Sequence, residues 1–235
     1  MNCVGLDGCR AGWVGLRLRY ERGTLREWEW RLFPDFERVL NIWGEAEALA
    51  VDMPIGLLSS ERAEPRPCDR LARQRLGRRA SCVFIPPTRP MLTVGNYASL
   101  RSLGLSIQAY HLIPRIHELD CLITPELQRR VWEAHPELGF MALIGTALLS
   151  PKRTPEGHQA RLSALQTAFG AWGCAIWEGA LALRTQVGKQ ALGLDDLTDA
   201  WVLAWSARRH LSGQSETLIG DPAYDERGLL MAIRF

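Results

Sequence analysis

The first 53 residues run through three period-two segments, a short amphipathic segment and an unbroken apolar run. That order restricts the chain to an α/β fold built on a mixed sheet. Val4 and Leu6 lead into Asp7; Trp13, residues 15–18 and Tyr20 follow; then Leu25, Trp28, Trp30 and Leu32 alternate with charged residues. Residues 21–23 (ERG) form a hairpin turn between the second and third strands. Pro34 and Asp35 open a helix whose Phe36, Val39, Leu40 and Trp43 share a face, and Gly44 stops it. Residues 46–53 (AEALAVDM) lose alternation in their second half, as a strand buried on both faces does, and Pro54 ends them.

Beyond Pro54 the pattern changes. A basic helix near 67–77, a proline-rich loop at 85–90 and helical segments near 96–103 and 106–120 read as a helical insertion, about 54–130, over one end of the sheet. A fifth strand is predicted over 130–134, followed by helices at 136–144, 155–169, 174–187 and 195–211 and a terminal hairpin turning at 225–228. The expectation is a single domain spanning 1–235: a mixed five-stranded sheet with helices on both faces, plus the insertion after strand four. The length of 235 residues suits one large domain.

Composition narrows the function. With 47% hydrophobic and 23% charged residues the chain is that of an ordinary globular protein. It contains no apolar run of membrane-spanning length and no secretory leader pattern, so a cytoplasmic protein without a membrane partner is expected. The six cysteines form no C-x-x-C pair and read as buried, reduced thiols. Net charge is +2, which argues against nonspecific coating of nucleic acid. The basic residues are unusual in kind, since Lys152 and Lys189 are the only lysines among 28 Lys and Arg. Charge is also concentrated: Arg62, Arg66, Arg70, Arg73, Arg75, Arg78, Arg79 and Arg89 face only Glu64 and Asp69 over 62–89. Arginine is the better bidentate partner for phosphate.

Four carboxylates stand where this map makes them converge. Asp7 follows strand one, Asp52 ends strand four, and Asp196 and Asp199 occupy the first turns of the last long helix, three residues apart. A strand-end carboxylate is costly to desolvate unless it is paired or bound to a cation, and two at neighbouring strand ends point to a metal. Magnesium or manganese suits such oxygen-only ligands, and a pair of ions activates water for phosphodiester hydrolysis. Helix capping alone would explain Asp195 and Asp196. Asp196 is expected as a ligand, and Asp199 as a ligand or as the group that orients one.

Residues 5–14 (GLDGCRAGWV) resemble the opening of a family of predicted nucleases with a ribonuclease H-like fold, catalogued as domain of unknown function 429 (DUF429). Residues 51–57, 68–69 with 72–73, 76–79, 81–84, 104–108, 133–137, 152–154 with Gly157 and Arg161, and 195–200 continue the likeness in order. The resemblance implies a ribonuclease H-like core in which Asp7, Asp52, Asp196 and Asp199 hold Mg2+ or Mn2+, and a nuclease acting on nucleic acid. DNA, RNA, a junction and a small nucleotide all stay open as substrate.

Around the four acids, Glu133 and His135 at strand five are candidates to complete a metal shell or move protons, Glu133 being placed among the catalytic residues. The alternative is a Glu133 paired to one of the arginines. Lys152, Arg153 and Arg161 are candidate phosphate contacts. Arg10, in the opening motif, and Arg73, Arg78, Arg79, Arg89, Ser106 and Gln108, from the insertion, are placed with them as substrate-binding residues. His117, Glu118 and Asp120 form a weaker cluster, of which 117 and 120 can share a helix face. Two other functions compete. An actin-like or sugar-kinase phosphotransferase shares the opening Asp-Gly turn but needs a second glycine-rich phosphate loop and roughly twice the length. A non-catalytic binding protein on the same fold has no need of four aligned acids.

Overall fold

The computed structural model describes residues 1–148 and 150–235. It is an α/β structure with a five-stranded mixed sheet, ordered β3-β2-β1-β4-β5. The chain divides into two compact units. One comprises Met1–Asp52, Ala134–Glu216 and Phe235; the other comprises Met53–Glu133 and Thr217–Arg234, joining the stretch read as an insertion to the terminal hairpin.

In the first unit, β1 (Asn2–Cys9) and β2 (Gly12–Glu21) pair antiparallel from Asn2 opposite Arg19 to Cys9 opposite Gly12. The third strand, β3 (Thr24–Phe33), continues the meander on the far side of β2. β4 (Ala48–Val51) runs parallel to β1, with Leu6 opposite Val51. This strand is shorter than the apolar run 46–53. The Ala46 N–H is spent in a turn on the Trp43 carbonyl, and Pro54 has no N–H to extend a ladder. Asp52 therefore lies just past the strand, its N–H still donating to the Leu6 carbonyl at 2.9 Å.

Strand parity decides which helix covers which face. Leu6 and its register partner Gly15 face α1 (Phe36–Trp43): a Cβ on Gly15 would meet the Trp43 ring at 2.6 Å. Trp13 packs edge-on against Phe36, and Phe33 against Trp43. The Asp35 side chain caps this helix by accepting from Arg38 N–H at 2.7 Å.

The odd residues of β1 face α8 (Leu194–Leu211) instead. A Cβ on Gly5 would lie 2.1 Å from both the Ala200 carbonyl oxygen and the Ala204 nitrogen, so only glycine lets this strand and helix approach so closely. Cys9 and Val14 pack on Leu197 and Ala200 of the same helix. Asp7, two residues beyond Gly5 and opposite Val14, points toward α8 by the same parity.

This unit also contains α5 (Pro136–Ile144), α6 (Pro155–Phe169) and α7 (Gly173–Val187). The second unit holds α2 (Pro67–Leu76), α3 (Tyr97–Ser102), α4 (Ile107–Leu122), β5 (Val131–Glu133) and the antiparallel hairpin of β6 (Thr217–Tyr224) and β7 (Leu230–Arg234). Asp225 fixes the hairpin turn by accepting from the N–H groups of Arg227 and Leu229, both at 2.9 Å.

No disulfide joins the cysteines, but three of the six depart from the expectation of burial: Cys82 is half-buried, and Cys121 and Cys174 are exposed. Cys121 lies on α4 and Cys174 on α7, each on the side of its helix away from the buried residues. Among the described residues, no helix is long and apolar enough to cross a membrane.

Candidate metal centre

Asp7, Asp52 and Asp199 each offer a carboxylate oxygen to one small volume, and the three oxygens lie within 4.8 Å of one another. Asp7 and Asp199 are buried, and Asp52 is half-buried. Gathering three like charges away from water raises their pKa values. Asp7 is lifted well above the ordinary carboxylate range, first by burial and then by the charges of Asp52, Asp196 and Asp199. Burial, reinforced by Asp199, pushes Asp52 up to about 7. Asp199 is raised by burial despite the opposing charge of Lys152. Its Oδ1 is buried with no hydrogen-bond partner among the described residues.

A set of oxygen donors, excess negative charge and a buried unpartnered carboxylate oxygen together fit a hard divalent cation. The family model for the protein of unknown function DUF429 matches residues 5–224, a span holding all three acids. The chain belongs to the DUF429 family. No curated protein and no solved structure matches it.

In this DUF429 protein the two acids of α8 divide differently from the expectation. Asp199 joins the trio, whereas Asp196, three residues earlier, is drawn to the helix start, where its Oδ2 accepts the Gly193 N–H at 2.8 Å. An aspartate at the third helical position is well placed to satisfy that otherwise orphaned donor. Asp196 still feels the cluster and is pushed up to about 6, with burial the main cause.

Lys152 is seated directly on the acids. Its Nζ donates to Asp199 Oδ2 at 2.5 Å and lies 3.8 Å from Asp195. Burial opposes its charge, but Asp199 and Asp7 outweigh burial and hold the ammonium protonated well above its usual range. The loop carrying it is pinned at several points. Thr154 Oγ1 accepts from Gly157 N–H and donates to the Pro151 carbonyl, and a Cβ on Gly157 would lie 1.9 Å from that same carbonyl oxygen. Arg161, fully buried, donates to the carbonyls of Ser150 and Gly157 while Glu137 grips it bidentately at 2.6 and 2.8 Å. Arg161 thus serves the loop from inside rather than presenting a phosphate contact. Arg153 points outward, 3.8 Å from Asp195, and Arg10 is exposed in the turn after β1. His135 stands at the N-cap position of α5.

The remaining predicted residues belong to the second unit. Glu133 is claimed by Arg66, whose two terminal nitrogens reach its oxygens at 2.8 and 2.6 Å, and it also accepts from Ile55 N–H. Of the two readings of this residue, the structure shows the arginine pair. Arg66 also grips Asp69, so a guanidinium with two carboxylates forms a buried structural knot. Arg89 is likewise engaged, with Asp120 and Asp225, and Arg227 joins Asp120. Arg73 donates to the Val83 carbonyl at 2.9 Å. Arg78 is exposed and Arg79 half-buried in the 3-10 segment Gly77–Cys82. Ser106 caps α4 by accepting from Ala109 N–H, with Gln108 exposed in the first turn. Glu118 pairs with Arg115 at 3.4 Å.

Sequence reasoning missed the Glu137–Arg161 clamp and the Lys152–Asp199 pair. Lys152 had one signal, being a rare lysine in an arginine-rich chain.

Proposed function

We propose that this protein is a metal-dependent nuclease, working in the cytoplasm on a ribonuclease H-like core and hydrolysing phosphodiester bonds of nucleic acid with Mg2+ or Mn2+. The convergence of Asp7, Asp52 and Asp199, from two strand ends and the final helix, carries the reading. These three residues would hold the ion. When bound, it would polarise a phosphodiester and lower the pKa of a coordinated water.

The chain's own groups supply the rest. Lys152, whose side chain is 34% exposed, offers a fixed positive charge that a phosphate can reach. Asp196, outside the trio and titrating near 6, is suited to take up a proton near neutral pH. Exposed arginines such as Arg10, Arg78 and Arg153 supply charge for the nucleic-acid backbone.

The test is cleavage of labelled DNA and RNA panels, including branched substrates, in Mg2+ and Mn2+. Asp199→Asn should lower the rate by orders of magnitude with unchanged far-UV circular dichroism, while Glu37→Gln on exposed α1 surface should not. A parent that cleaves nothing, or an Asp199→Asn protein that cleaves as well as the parent, refutes the reading.

A further inference from the structure

We infer that Lys152 is the built-in second cation of this site: the protein takes one divalent ion, on Asp7, Asp52 and Asp199, and the Lys152 ammonium supplies the other positive charge. The inference rests on the nuclease reading above and assigns one residue's part in it.

Three observations carry it. First, the ligand supply suits one ion. The oxygens of Asp7, Asp52 and Asp199 form a single group, and the fourth acid, Asp196, spends an oxygen on the Gly193 N–H. Second, Lys152 divides the Asp199 carboxylate. It takes Oδ2 at 2.5 Å and leaves Oδ1 buried and without a hydrogen-bond partner among the described residues.

The residue type matters here. An ammonium is a compact point charge that can bind one oxygen, whereas a guanidinium favours both oxygens of a carboxylate. In a chain that otherwise uses arginine almost throughout, lysine at this position preserves a free ligand atom. Third, the loop holding Lys152 is built to fix it, through the Thr154 cap, the close turn at Gly157 and the buried Arg161 clamp. An ordinary surface ion pair contributes little and needs no such support.

The experiment counts ions by isothermal titration calorimetry with Mn2+ and by Mn2+ electron paramagnetic resonance, in the parent, Lys152→Met and Lys152→Arg. The parent should bind one ion. Removing a unit charge a few ångströms from the ion should tighten Mn2+ binding in Lys152→Met by roughly tenfold or more, or admit a second ion. Lys152→Arg, closing on both Asp199 oxygens, should weaken binding by roughly tenfold. Circular dichroism and thermal melting establish that each variant is folded, and the parent stoichiometry stands independently of them. Two ions in the parent, or one ion with unchanged affinity in Lys152→Met, overturns the inference and leaves the metal centre standing. No binding by any of the three proteins overturns the metal centre itself, and the inference with it.

Discussion

The metal-free acid cluster is strained electrostatically, and Asp52→Asn measures how much. The Asp52 carboxyl is pushed from 3.8 to about 7, chiefly by burial and then by Asp199. The folded protein therefore binds this proton more tightly than the unfolded chain does, and stability falls as the pH climbs from about 4 to about 7. That interval corresponds to about 4 kcal/mol once both states are ionised. Part of the penalty belongs to Asp7 and Asp199, which relax only partly when Asp52 is neutral. A gain of about 2–4 kcal/mol is thus expected for Asp52→Asn in EDTA at pH 8. At pH 4 or below, where both proteins carry a neutral group, the gain should be close to zero. Urea unfolding followed by tryptophan fluorescence at the two pH values reads the difference directly. Saturating Mg2+ should reverse the order, because ligand binding stabilises the parent by RT ln(1 + [L]/Kd) and the variant far less. A variant no more stable than the parent at pH 8, or a gain that does not depend on pH, would refute the reasoning.

Three further outcomes follow from the packing. Gly5→Ala drives a methyl into the α8 backbone at 2.1 Å and should cost about 3 kcal/mol or more in urea unfolding; a cost below 1 kcal/mol would disprove the close approach. Arg161→Met takes the guanidinium away from buried Glu137, at about 3–5 kcal/mol, and releases the Ser150 carbonyl. Trypsin should then cut the folded protein faster after Lys152 or Arg153, and an unchanged digestion rate would count against the clamp. If the nuclease reading holds, Arg78→Ala should lower the salt dependence of nucleic-acid binding by about one in slope, whereas Glu37→Gln should leave it unchanged.

The sheet was legible because its signals are local. Period-two alternation through Leu32, the capped amphipathic turn of α1 and the apolar run into Asp52 each specify an element within a few residues. The three clustered acids were legible for a related reason, since Asp7 and Asp52 stand at strand ends and Asp199 in the second turn of the last long helix. What the periodicity left open was the division of labour on α8. Asp196 and Asp199 stand one turn apart, so spacing alone puts both toward the strands; the orphan N–H at the helix start draws Asp196 away.

Long-range charge pairing was legible only in kind: an arginine partner was one of the two readings of Glu133, but nothing in the sequence said which arginine. Glu137 finds Arg161 across 24 positions, and Arg66 finds Glu133 across 67. In a chain with so many arginines, each buried carboxylate has many candidate partners. The arginine-rich stretch 62–89 shows the same effect: of the guanidinium groups read there as phosphate contacts, Arg73 is turned onto a carbonyl and Arg89 onto carboxylates, and Arg66 in the same stretch is buried against Glu133.

The central claim is that Asp7, Asp52 and Asp199 form a cation site. The measurement that meets it most directly is an anomalous difference map from crystals grown with Mn2+. A single strong peak bounded by these three carboxylates, absent in Asp199→Asn crystals, is the predicted result. A map with no peak there, or with manganese bound only at carboxylates elsewhere on the surface, would contradict it.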